Sequence, residues 1–145
     1  MNGLKPVGSI FGISSVLVER NAGGTFAVGD TVKHASGEAV IAAAGNAIFG
    51  VAEEAATSSS TGVQINITPG MTVIVDNDND TTTFAATHVG TKFDQVGTTG
   101  AIQIDTSTTG TSGQFYCLEY NPQGYGFDTD TSIGLFSVDE REFGL

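Results

Sequence analysis

The sequence predicts an all-β protein, a small β-barrel or β-sandwich of about ten short strands with an extended N-terminal arm. Three observations carry that expectation. Gly and Thr punctuate the chain every few residues, the runs between them are β-branched or alternating and too brief for helices, and no window holds an apolar stripe of helical period. With 145 residues, one domain is the default, and folding should bury roughly two-thirds of the unfolded chain's surface. The core therefore needs no disulfide or metal, and Cys117, the single cysteine, could form no intramolecular disulfide. We read residues 1–24 as the arm and 25–145 as the all-β domain.

Taken in order, Met1 to Gly24 is mostly Gly, Ser and isolated hydrophobes and closes in Asn21-Ala22-Gly23-Gly24, the composition of a flexible joint. Lys5 followed by Val7, Ile10, Phe11, Ile13, Val16, Leu17 and Val18 imitates a signal peptide. Pro6, the glycines and the serines interrupt it, however, and no small-x-small cleavage site follows, so it is expected to be mature sequence. Next come Thr31 to Ala35, Glu38 to Ala42 and Ala47 to Ala52, joined at Ser36-Gly37 and Gly45-Asn46, which predicts a three-stranded meander. Val63, Ile65 and Ile67 alternate with Gln64 and Asn66. Thr68-Pro69-Gly70-Met71 then favours a type II turn, because Pro presets φ and Gly permits a positive one, and Val73-Ile74-Val75 follows. A hairpin is expected there. Further strands are expected at Thr83 to Thr87, Lys92 to Val96, Ala101 to Asp105, Gln114 to Tyr120 and Ile133 to Val138. Thr57 to Gly62 and Thr106 to Gly113 should be surface loops.

Charge narrows the function. The net charge is −11, and Lys5, Arg20, Lys33, Lys92 and Arg141 form no basic stripe to neutralise phosphates, so no nucleic-acid partner is expected. The longest purely apolar run, Ala39 to Ala44, is far short of the ~18 residues of a membrane span, and a soluble protein without a membrane partner is expected. Eight carboxylates (Asp94, Asp105, Glu119, Asp128, Asp130, Asp139, Glu140, Glu142) follow Lys92 against one Arg, whereas Met1 to Val18 holds no acid. An acidic body solvates itself; an apolar, cationic arm suits another protein's surface.

Catalysis needs a nucleophile and base, or paired acids, in one pocket. His34 and His88 sit in Thr- and Val-rich stretches without neighbouring motifs, and Cys117 alternates with Phe115 as a buried structural thiol would. With no Gly-Lys-Ser/Thr loop, His-Glu-x-x-His or Gly-x-Ser-x-Gly present, the chain is not expected to be an enzyme and needs no cofactor. Asp76-Asn77-Asp78-Asn79-Asp80 starts like a calcium loop, but Thr81 replaces the turn Gly and Thr87 the bidentate Glu. A solvated turn is expected, and no metal site. Tyr116, Tyr120 and Tyr125 cluster around Asn121-Pro122-Gln123-Gly124 and could stack a sugar, though one Tyr-bearing turn at the rim explains them as well.

Thr25-Phe26-Ala27-Val28-Gly29-Asp30-Thr31-Val32-Lys33, then Gly45-Asn46-Ala47-Ile48-Phe49-Gly50-Val51-Ala52, then Ile65 to Val75 through Pro69-Gly70, together resemble capsid decoration (cement) proteins of tailed bacteriophages. The opening Met1-Asn2-Gly3-Leu4-Lys5-Pro6-Val7 is similar to the start of such proteins. The likeness covers roughly the first half of the chain in order, and the Thr57 to Gly62 insert and Tyr125 to Phe127 depart from it. The resemblance implies a non-enzymatic virion protein on the outer face of the capsid, made in the host cytoplasm and stabilising the head. Its partners would be the major capsid protein lattice and, as a homotrimer that assembles off the capsid or on it, its own copies. Leu4, Lys5, Pro6, Val7, Ile10, Phe11 and Ile13 would be the capsid-binding arm, disordered alone and ordered on docking. Gln114 to Tyr120, apolar on both faces, fits an oligomer or an internal second layer. A host-glycan or receptor-binding module using Tyr116 to Tyr125 is the alternative function.

Overall fold

The computed structural model describes residues 3–78, 83–108 and 110–143. Among them are twelve strands: β1 (Lys5–Ser9), β2 (Leu17–Arg20), β3 (Thr31–Ala35), β4 (Glu38–Ile41), β5 (Gly50–Ala52), β6 (Val63–Asn66), β7 (Met71–Asp76), β8 (Lys92–Phe93), β9 (Gln95–Val96), β10 (Gln103–Ile104), β11 (Phe115–Tyr120) and β12 (Ile133–Val138). One sheet has the order β1-β7-β12-β11-β8, the second β2-β6-β5-β3-β4, and β10-β9 is a ribbon. The protein is all-β as expected, and because the sheets do not close, the sandwich is the alternative that holds.

Two apolar clusters fill it. Val73, Val75, Phe93, Phe115, Cys117, Phe136 and Val138 form the larger with Phe84, Ile102 and Ile104 from the connections and Val51 from the second sheet. Val32, Ala39, Ala52, Val63 and Ile65 form the smaller with Ala22, Phe26 and Phe49. Between the sheets lies a buried amide relay. Thr31 Oγ1 donates to Gln95 Oε1 (2.5 Å), Gln95 N–H donates to Gln114 Oε1 (2.9 Å), and Gln114 Nε2 donates to the carbonyls of Ala43 (3.0 Å) and Asn46 (2.7 Å).

The structure differs from the expected arm. β1 pairs with β7 and β2 with β6, so this segment supplies one edge strand to each sheet. Leu4 is buried in the larger cluster, and its N–H donates to the Gly29 carbonyl at 2.8 Å. At the expected joint, Gly23 N–H donates to the Ala39 carbonyl (2.8 Å). Gly23 serves contact rather than flexibility, since a Cβ there would lie 3.0 Å from Val40 Cγ1, and where the segment packs on the domain a Cβ on Gly29 would lie 2.9 Å from the Leu4 carbonyl oxygen. Strand pairing is made by the backbone, so irregularly spaced side chains did not forbid it.

Four other expected features also differ. The Thr68–Met71 turn forms, with Gly70 at φ +63° and Met71 N–H donating to Thr68 O, but β6 and β7 belong to different sheets and make no hairpin. Their apolar residues fill different clusters, Val63 and Ile65 the smaller, Val73 and Val75 the larger, so the turn is a corner. Ser36 and Gly37, both at positive φ, join β3 to β4 as a tight hairpin. β5, however, pairs on the other side of β3, giving β5-β3-β4 instead of a meander. Its Gly50 is required there, because a Cβ would meet the Asn66 carbonyl oxygen at 2.4 Å. Of Thr83 to Thr87, only Phe84 is buried and Ala86–His88 is a 3-10 turn, so no strand forms over the described residues. Lys92 to Val96 splits at Asp94 into β8 and β9.

Gln114→Ala removes the amide that satisfies Gln95 N–H, Ala43 O and Asn46 O, and should destabilise the fold by about 2 to 4 kcal/mol. Urea denaturation followed by circular dichroism measures it.

Candidate functional site

The chain crosses between the sheets twice at one corner, from β1 to β2 and from β6 to β7, and the two crossings run side by side. Ile10 N–H donates to Gly70 O (2.9 Å) and Ile67 N–H to Val16 O (2.8 Å). Ser9 Oγ donates to Pro69 O (2.6 Å) and accepts from Phe11 N–H (3.1 Å), while Val16 N–H donates to Thr68 Oγ1 (2.9 Å). Backbone fixed this way holds a ridge of apolar side chains toward solvent: Ile10 is 55% exposed, Phe11 51%, Ile13 41%, Val16 36% and Leu17 49%. Exposed apolar side chains gathered along one connection make it the candidate interaction surface. Ile10 and Phe11 lean on Gly70, where a Cβ would lie 2.7 Å from Ile10 Cγ1 and 2.6 Å from Phe11 Cδ2.

Arg141 locks the corner from beneath. Its guanidinium donates to the carbonyls of Ile67, Thr68 and Phe49, each at 3.2 Å, and stacks on Phe143 with 4.7 Å to the ring centroid. Burial pulls its pKa below the ordinary arginine value. Two depressions flank it. One, about 210 Å³, is bounded by Ile10, Phe11, Gly70, Ser137, Val138 and Asp139. The other, about 320 Å³, is bounded by His34, Phe49, Ile67, Glu142 and Phe143.

The outer edges of the two sheets are treated unequally. On β4, Ala39 N–H donates to Asn21 O and its carbonyl accepts from Gly23, while on β8, Lys92 and Gly110 exchange both backbone bonds. β1 and β2, which lead into and out of the ridge, are the terminal strands left without such a cover among the described residues. An uncovered edge is a template for pairing.

Of the expected arm residues, Ile10, Phe11 and Ile13 stand together on the ridge and Lys5 is exposed. Leu4 is instead part of the core and Pro6 and Val7 are half-buried. Val16 and Leu17 belong to the ridge but not to the expected set. Their signal was the apolar run Val16-Leu17-Val18 on the acid-free segment. Gly70 was marked only as a turn residue, and Arg141 carried no local signal.

The other candidates have structural partners. His34 Nε2 accepts from Arg20 Nε (3.1 Å), and His88 Nδ1 accepts from Ala85 N–H (2.9 Å), closing the 3-10 turn. Cys117 is buried, and burial pushes its thiol up to about 11. Asp78 Oδ1 accepts from Thr106 N–H and Oγ1, Asn79 and Asp80 lie outside the described residues, and among the described residues no three His, Cys, Asp or Glu side chains group to hold a metal. Tyr116, half-buried, and Tyr120, exposed, lie on β11, and the exposed Tyr125 lies on the following loop, pinned by Gln123 Nε2 to the carbonyls of Asn121 and Asp128. No helix among the described residues is long and apolar enough to cross a membrane. No family model matches the chain, and neither the curated proteins nor the solved structures contain a significant match.

Gly12 and Gly70 both have left-handed φ, but only Gly70 has side chains against it. Gly12→Ala should cost about 1 kcal/mol of backbone strain and Gly70→Ala about 2 to 4 kcal/mol, because Phe11 and Ile10 must also move; paired denaturation curves give the difference. The Cys117 thiol stays protonated in the folded state at pH values where the unfolded thiol, near 9, ionises. Its contribution to stability is therefore complete below pH 9 and declines from there toward pH 11. Alkylation of the folded protein should rise with pH across that window without a plateau, and a plateau near pH 9 would contradict the burial argument.

Proposed function

We propose that this protein decorates the outer face of a tailed-phage capsid, docking on the major capsid protein through the apolar corner and turning its acidic body to solvent. The observation that carries this is the ridge from Ile10 to Leu17, exposed yet held by hydrogen bonds, on a stretch with no carboxylate before Glu19. The resemblance of the first half of the chain to decoration proteins supports the same reading. Covering the exposed half of each ridge side chain contributes about 1 kcal/mol. Since the backbone is ordered beforehand, docking avoids most of the roughly 1 to 2 kcal/mol per residue that ordering a free arm would cost. A shell binds many copies, so modest affinity at each contact suffices for a stable lattice. In the capsid-bound homotrimer, half-buried Tyr116 and Leu118 on the outer face of β11 would meet neighbouring copies.

Capsids stripped of their decoration protein provide the test, by co-sedimentation. Phe11→Asp combined with Ile13→Asp should leave the melting temperature within a few degrees, because both side chains are half in water, and should raise the concentration that half-saturates the shell about 100-fold, some 3 kcal/mol. If that variant saturates the shell at the wild-type concentration, the corner is not the docking surface. Glycan-array binding by wild-type protein, lost in Tyr125→Ala and Tyr120→Ala but not in the corner variant, would favour the host-glycan module instead.

A further inference from the structure

We propose that two free copies of this chain pair with each other at the same corner, edge to edge through β2, so that the second sheets of the two copies join into one antiparallel sheet. The inference rests on the geometry of β2 and the distribution of charge around it, and holds whatever the docking partner is. In an antiparallel ladder, opposite residues alternate between exchanging both backbone bonds and exchanging none. Ile67 N–H donates to Val16 O, so the bonded pairs of β2 with β6 are Val16 with Ile67, Val18 with Ile65 and Arg20 with Val63. Glu53 N–H donates to Gln64 O, which turns Gln64, and by alternation Asn66, toward β5. The N–H and C=O groups of Leu17 and Glu19 therefore point out of the sheet. The Glu19 carbonyl is taken by Arg20 NH1 of the same chain (2.8 Å), and the outward groups of Leu17 remain.

Charge selects the occupant. Two bodies of net charge −11 repel over most of their surface, and the segment from Gly3 to Val18 is where they can approach without placing carboxylates together. It is also where the apolar ridge lies, so the contact that repulsion permits is the one that burial rewards. The register follows from the same residues. Pairing centred on Glu19 would set like charges opposite each other. Pairing centred on Leu17 sets it against Leu17 of the other copy, Val16 against Val18, and Glu19 against Ser15. Each apolar residue then meets an apolar residue, and the two-fold axis passes between the two Leu17 backbones.

Sedimentation velocity of the isolated wild-type protein from about 1 to 300 µM should show a reversible monomer–dimer equilibrium that shifts with dilution. Leu17→Lys places two ammonium groups across the axis without touching a bond to β6, and should raise the dissociation constant about tenfold or more. As an independent check on register, Leu17→Cys should crosslink into a covalent dimer when oxidised with diamide, since a directly opposed bonded pair has Cα atoms about 5.5 Å apart, within disulfide range. Glu19→Cys should not, and the buried Cys117 leaves both results uncontaminated. A monomer at every concentration, a trimer, association that Leu17→Lys leaves unchanged, or equal crosslinking of the two cysteine variants overturns the proposal. No capsid enters this experiment, so its failure leaves the docking proposal standing, and the failure of docking leaves the dimer standing.

Discussion

Where a chain leaves one sheet for another, its backbone loses the ladder that satisfied it, and a buried carbonyl without a donor costs about 1 to 3 kcal/mol. The corner from Ile67 to Gly70 has four such carbonyls in succession, and each finds a donor from elsewhere in the chain. Arg141 serves Ile67 and Thr68, Ser9 Oγ serves Pro69, and Ile10 N–H serves Gly70. Asn66 Oδ1 meanwhile accepts from Thr68 N–H and its hydroxyl. The ridge is a by-product of this constraint: residues 9 to 16 must lie against the corner to satisfy it, and their side chains then have only solvent to face.

A second constraint keeps the sheets in register with each other. An apolar interface alone would let them slide, whereas the Thr31, Gln95 and Gln114 relay has one arrangement in which every amide is used. Asp30 acts likewise at the sandwich's end, accepting from Ala27 and Gly100 N–H groups to hold two loops together. Such partners specify a single packing of two faces that would otherwise be interchangeable.

The short-range features were legible in the sequence. Alternation marked β6, the β-branched run marked β7, Ile133 to Val138 marked β12, and Pro69-Gly70 marked its turn. Which strands pair across the sheets was not, because a turn dipeptide fixes the direction of the chain over four residues and says nothing of what lies beside it. Gly3 and Gly23 looked like flexibility since the cause of a glycine at a close approach lies in another segment. Phe84 looked like part of a strand because a lone buried aromatic resembles one locally. Of the candidate site, the apolar character and absence of acid could be read directly. That Ile10 and Phe11 are held against Gly70, on a corner braced by a guanidinium from a distant segment, could not.

That guanidinium also sets a schedule. The bonds from Arg141 to Thr68, Ile67 and Phe49 span 73, 74 and 92 residues. During synthesis the corner cannot close until Arg141 has left the ribosome, although the ridge residues Ile10 to Leu17 precede it by more than a hundred positions. Loops of that length close late and put folding on the order of milliseconds to seconds. A nascent chain thus carries its apolar segment unassembled until Arg141 has emerged, and the ridge then takes its held form in one step.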